Sequence, residues 1–185
     1  VEGFVTSDYS GLLVAMGSGQ ADVGAFATLG YVTAMNAFPT RFEAIAKSVR
    51  YGSGSYHATF WTTDASVCKS TPVIGAFENI NGVATLVTGS ETTPPDVKAL
   101  QVGWGFGDDG LIPEVRDGVT TSPGLACEAD LSVMLGEEVL FVEEGSTSGY
   151  LYPSLQLKNA GIDYTSDIIQ RFAGSHDGVI AGLYN

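Results

Sequence analysis

Basic residues are scarce in this chain: 8 Lys and Arg stand against 21 Asp and Glu, for a net charge of −13. So acidic a surface repels a phosphate backbone, which argues against nucleic acid as a partner. The same charge repels a small anion at long range, so any anion site has to work through short-range dipoles and hydrogen bonds. Long apolar runs are also missing. None approaches the ~20 residues needed to cross a bilayer, which argues against direct membrane insertion. Only two histidines, His57 and His176, and two cysteines, Cys68 and Cys127, are present. That is a poor set for zinc, and no cofactor is implied. The cysteines leave two readings open: one disulfide closing a long loop in an oxidising compartment, or two buried thiols. Among 185 residues, 24 glycines, a charged fraction of 16% and a hydrophobic fraction of 44% indicate a loop-rich α/β protein of one domain or two small lobes. The chain begins at Val1 with no initiator methionine, signal peptide or lipid-attachment cysteine. The expectation is a processed product or an internal portion of a longer protein.

What is there centres on Glu143 to Gly161. The apolar run Val139 to Val142 has the length and β-branched content of a buried strand. It enters a hydroxyl-rich turn, Gly145-Ser146-Thr147-Ser148-Gly149. Tyr150, Leu151, Leu155 and Leu157 then fall at helical spacing, with a stop at Asn159-Ala160-Gly161. A strand running through small hydroxyl residues into a helix leaves backbone N–H groups without intrahelical partners, at the positive end of the helix dipole. Plain N-capping explains one such hydroxyl; three consecutive ones exceed what a cap needs. The pattern suits an anion.

Along the rest of the chain, Glu2 to Val5 reads as a strand and Thr6-Ser7-Asp8 as a helix start. Tyr9, Leu12, Leu13 and Met16 form a helical stripe ending at Gly17-Ser18-Gly19, and Ala21 to Phe26 reads as a second strand. Strand, helix, strand predicts a right-handed βαβ unit and a parallel pair. A further helix is expected from Tyr31 to Phe38, broken at Pro39, and another from Thr40 to Ser48. Near the latter, Arg41, Lys47 and Arg50 form a solvated face. Tyr56 to Thr62 alternates and is expected to be a strand. From Asp64 to Asp130 the pattern is of strands and long loops, including Thr71 to Ile74 and Val83 to Val87. Gly103 to Gly110 lacks the Lys-Ser/Thr ending of a phosphate loop, and Asp108, Asp109, Glu114 and Asp117 lack the spacing of a calcium loop. Ile168-Ile169 is expected to be a strand. Gly174-Ser175-His176-Asp177 leads into a helix from Gly178 to Leu183, with Asp177 favouring its N-terminus.

The order of these pieces resembles one family. Gly145 to Pro153, Leu157, Gly161-Ile162-Asp163 and Gly174 to Asp177, together with Asp8-Tyr9, Gly19 to Val23, Tyr31 and Tyr56, are similar to the substrate-binding proteins of ABC importers for phosphonate, phosphite and related phosphorus oxyanions. The resemblance implies an α/β, two-lobed periplasmic-binding-protein-like fold with mixed sheets. Residues 1–63 would form part of the first lobe and 64–185 the second, the latter carrying an inserted loop-rich segment at about 64–135. It implies that Ser146, Thr147 and Ser148 grip the phosphorus-bound oxygens and that Tyr56 and His176 also reach the ligand. Phe26 covers the position where many members carry another aromatic, although without a hydroxyl to donate. The implied partners are a small oxyanion and a membrane permease, at a periplasmic or extracellular location with a lipoprotein tether as one option. An imidazole titrating near neutrality would make binding strengthen as pH falls. The family's flanking segments, an earlier strand and helix and a later return crossing, do not appear in this sequence. A disulfide between Cys68 and Cys127 would staple the insertion at its base.

Two other readings compete. A hydrolase would use Ser146 or Ser148 as nucleophile and His176 as base, but Thr147 stands where a Gly-x-Ser-x-Gly elbow needs serine. A receptor of the same fold for sulfonate, nitrate or an organic acid is the closer rival, because fold does not fix ligand.

Overall fold

The computed structural model describes residues 2–47, 58–80, 83–88, 99–103 and 124–185. Within them helices and strands mix as in an α/β protein. Two helices come first, α1 (Tyr9–Ser18) and α2 (Thr28–Ala37). Strands β1 (Phe60–Thr62), β2 (Val73–Ile80), β3 (Val83–Thr88), β4 (Leu100–Gly103) and β5 (Gly124–Glu128) then form a sheet in the order β1-β4-β5-β2-β3. Its β4–β5 pair is parallel and the others are antiparallel. Cys68 and Cys127 are joined, with Cα atoms 5.6 Å apart across 59 residues of sequence. Cys127 is fully buried, so the bond closes this sheet's long connections from inside.

A second sheet carries the segment of interest. Strands β6 (Glu138–Phe141) and β7 (Ile169–Phe172) run parallel, with Phe141 opposite Phe172. Between them lie a wide helical turn, Thr147–Leu151, and helix α3 (Tyr152–Asn159); α4 (His176–Leu183) follows β7. Leu131, Phe141, Leu157, Ile162 and Ile168 form the core here, with Met134, Val139, Tyr150 and Tyr164 packed against it. Complete burial of Leu157 alone stabilises by about 1.5–3 kcal/mol. The Tyr150 ring meets Phe141 edge-on at 5.2 Å and Phe172 at 5.4 Å. One aromatic therefore ties the start of the helix to both strands beneath it.

Several local expectations fail in the first 47 residues. Residues 2–5 and 21–26 are not strands, so the βαβ unit does not form. Short extended segments need a hydrogen-bonded neighbour, and these have none among the described residues. Val5 and Val23 accordingly stay exposed. Residues 42–47 are irregular rather than helical. Their apolar spacing covers under two turns, too short to nucleate a helix unaided once Pro39 has ended α2. Helix α2 itself starts at Thr28, three residues before the expected Tyr31. By contrast, Asp8 caps α1, accepting from the Gly11 N–H at 2.6 Å, and Gly19 closes it in the left-handed conformation. Gly161 ends the chain's descent from α3 as expected, also left-handed. Tyr56, the Gly103 to Gly110 loop beyond Gly103, and Asp108, Asp109, Glu114 and Asp117 lie outside the described residues.

Candidate functional site

Parallel pairing fixes where the helix starts meet. Both β6 and β7 point their carboxyl ends the same way, and the ladder continues one step past them: Ala173 N–H donates to the Phe141 carbonyl at 2.9 Å, and Gly174 N–H to the Val142 carbonyl at 2.7 Å. The chain leaves β6 into Glu143 to Ser148 and leaves β7 into Ser175 and His176. Two strand-to-helix turns thus share one carboxyl edge, the place where open α/β sheets bind ligands. Gly174, at φ 76°, makes the bend a side chain would oppose.

At the first turn the hydroxyl residues are all buried: Ser146 is 2% exposed, Thr147 6% and Ser148 9%. Ser146 is the N-cap, its Oγ accepting from the Gly149 N–H at 3.0 Å. The Ser146 carbonyl accepts from the N–H groups of both Tyr150 and Leu151, which widens the first turn to the π-helical pitch often found at functional sites. Gly149 is required by packing. A Cβ there would stand 2.3 Å from Val142 Cγ2 and 2.6 Å from its Cβ. The turn is clamped between its own cap and the end of β6.

Thr147 does something the local sequence gives no hint of. Its Oγ1 accepts from the Leu29 N–H at 2.9 Å, across 118 residues. Leu29 lies in the first turn of α2, whose own N-cap position, Ala27, has no side chain able to cap. Thr147 therefore caps α2 from a distance, and two helix N-termini converge on one hydroxyl. Neither has an acidic residue in its first turn. The neighbouring α1 differs: Asp8 occupies its N-terminus, and the Glu143 carboxylate takes the Tyr9 N–H. Burial holds the Glu143 carboxyl above its usual range, the Tyr9 N–H opposes that, and the nearby Asp8 charge adds to it. The positive end of α1 is thus offset by carboxylates, whereas α2 and the Thr147 helix are capped by hydroxyls, Thr147 Oγ1 and Ser146 Oγ. Those two ends suit an anion.

The other expected residues fall as follows. His176 is exposed and is the first residue of α4; Ser175 is the cap, accepting from the Gly178 N–H at 3.0 Å. The helix therefore begins two residues earlier than Gly178, and Asp177 lies in its first turn as expected. Phe26 packs edge-on against Phe42 at 5.9 Å and lies over Gly30, just ahead of the α2 start. Residues that sequence reasoning missed are Leu29, through its N–H, and the pair Tyr9 and Glu143. Local sequence held no signal for Leu29, since its cap comes from another element. Among the described residues no cluster of three or more His, Cys, Asp or Glu is placed to hold a metal, and no helix is long and apolar enough to cross a membrane.

Residues 1–185 match the family described as ABC transporter, phosphonate, periplasmic substrate-binding protein. No curated protein and no solved structure matches the chain.

Proposed function

The chain belongs to the phosphonate family of ABC-transporter periplasmic substrate-binding proteins, and from that premise we propose that Ser146, Thr147 and Ser148 bind the phosphorus-bound oxygens of its ligand. Membership gives the chain a solute-binding role for a phosphorus oxyanion, an ABC permease as partner, and a periplasmic or extracellular location. The residue assignment rests on one observation above the others: two helix N-termini with no acidic residue in their first turns meet at the buried Thr147 hydroxyl. There, oriented N–H dipoles act over short distances and offset the long-range repulsion from a net charge of −13.

In this reading His176, beginning α4 at the same carboxyl edge, contributes from the second turn, Tyr56 supplies a further contact, and Phe26 lines the approach. The protein captures and releases its ligand without chemistry. Ser146 acts as a cap and ligand donor, its oxygen accepting the Gly149 N–H. Two lobes, 1–63 and 64–185 with an insertion at about 64–135, would close over the anion. A β1–β4 ladder joins the two sides of that division and would move with one lobe. A lipid tether would hold the receptor near its permease.

Thermal shift and calorimetry with methylphosphonate, phosphite, phosphate, sulfate and methanesulfonate test the assignment. A phosphorus oxyanion should stabilise the protein, and Thr147→Ala should weaken binding by about 1.5–3 kcal/mol, the range for a hydrogen bond to a charged group. Response to sulfate, sulfonate or carboxylates alone would replace the phosphorus ligand with a different small anion. Undiminished binding by Thr147→Ala would remove the hydroxyl turn from the site.

A further inference from the structure

We propose that Gly178 is a positioning residue of the anion site: its missing side chain lets α4 start close against the end of β7, and so fixes where His176 stands. This rests on the function proposed above, in which His176 contributes to binding. The helices α1, α2, α4 and the one begun by Thr147 each carry a glycine three residues after the N-cap, at Gly11, Gly30, Gly178 and Gly149. On helix propensity alone, alanine would be the better residue in each first turn. Space separates the four. A Cβ at Gly11 would stand 3.2 Å from Asp8 Oδ1, and one at Gly30 3.2 Å from the Phe26 ring, distances that a small movement of the neighbour relieves. A Cβ at Gly149 would stand 2.6 Å from Val142 Cβ, and one at Gly178 2.6 Å from the Ala173 carbonyl oxygen. Neither of those obstacles is the tip of a flexible side chain. The two positions closed to a side chain are the two at the shared carboxyl edge of β6 and β7, where glycine permits close helix–strand packing.

The two turns are built alike. Ser146 Oγ accepts from the Gly149 N–H at 3.0 Å, and Ser175 Oγ from the Gly178 N–H at 3.0 Å. His176 is the first residue after its cap, the place that Thr147 holds in the other turn. The peptide that carries the Ala173 carbonyl is pinned to the end of β6, because its N–H, that of Gly174, donates to the Val142 carbonyl at 2.7 Å. At its far end α4 rests on the same strand, where Gly182 faces Leu140. A methyl group at position 178 therefore tilts the start of α4 outward and takes Ser175 and His176 with it. Real Cβ atoms essentially never come within 3.0 Å of another heavy atom, so the gap has to open by about 0.4 Å or more. A hydrogen bond of about 2.7–3.2 Å, stretched that far, is weakened or lost.

Calorimetry with methylphosphonate on the full chain tests this, at a temperature where circular dichroism shows every variant folded. Gly178→Ala should weaken binding about tenfold, the loss of much of one hydrogen bond to a charged group. Gly182→Ala places its Cβ 2.4 Å from the Leu140 Cδ2 tip alone. That tip can turn away, so this variant on the same helix should bind within about twofold of wild type. The decisive readout is the double-mutant cycle with His176→Ala. With the imidazole gone there is nothing left to position, and adding Gly178→Ala should cost less than about twofold. A purely structural role would instead carry its full loss into the His176→Ala background. If Gly178→Ala does not fold, Ser175→Ala loosens the same turn by deleting its cap, and should weaken binding severalfold in the wild type and not in His176→Ala. Wild-type affinity in Gly178→Ala, or a loss that persists undiminished without His176, would overturn the positioning role and leave the hydroxyl turn in place. No binding of methylphosphonate by the wild-type chain would overturn the proposed function, and the positioning role with it.

Discussion

Replacing Thr147 with valine keeps the shape of the side chain and deletes its hydroxyl, so it isolates the link between α2 and the helix that follows β6. In the wild type the Leu29 N–H reaches Thr147 Oγ1 at 2.9 Å, with Thr147 6% exposed. Valine leaves that N–H facing methyl groups at the first turn of a helix with no cap of its own. Loss of a threonine cap and stranding of a part-buried donor describe the same event, so their costs are not summed; together they amount to about 1–2 kcal/mol. For a chain of this size that lowers Tm by roughly 3–6 °C. The more specific readout is hydrogen exchange at Leu29. Its amide should exchange about 5–30-fold faster, the factor matching that free energy, while the amide of Gly149, held by Ser146, should change far less. Thr147→Ser, which keeps the acceptor, should restore most of the protection. If Leu29 exchange is unchanged in Thr147→Val, then α2 is not capped from across the fold, and the convergence of two helix ends fails with it.

Two further outcomes follow from other parts of the molecule. Cys68→Ser with Cys127→Ser opens a loop spanning 59 residues of sequence; chain entropy places the loss at about 4 kcal/mol, measured as a reduced denaturation midpoint that added reductant no longer affects. A midpoint equal to that of the oxidised wild type would show that the bond contributes nothing to stability. Glu143→Gln addresses pH. Because burial raises the Glu143 carboxyl in the folded state, folding favours its protonated form, and its contribution to stability falls as pH rises through the unfolded and then the folded value. The glutamine variant should therefore be the more stable at pH 7, with the gap narrowing as pH drops below the carboxylate range. A gap that is constant or reversed in thermal melts from pH 4 to 7 would contradict this.

The legible features were those coded over a few neighbouring residues. Val139 to Val142 read as strand because it is apolar and β-branched, and β6 covers most of it. Ser146 and Asp8 read as helix starts because a short oxygen-bearing side chain can reach an N–H three residues ahead, and both do so. Gly161 read as a stop because a glycine tolerates positive φ. The family was legible too, from the order of short motifs rather than from any one of them.

What failed depended on partners far along the chain. Residues 2–5 and 21–26 have strand-like composition, but a strand is a relation between two segments, and composition describes only one of them. The hydroxyl turn was recognised by itself as the N-terminus of a helix. Only the tertiary structure joined it to the start of α2, whose cap is donated from Thr147 and so left no mark beside Leu29. Likewise, only the parallel register of β6 and β7 brought Ser175 and His176 to the same edge as Ser146. The sequence by itself determined which backbone groups lacked partners, since that is a property of a single helix end. The fold decided which of those groups meet, because convergence requires contacts between residues that share no local pattern.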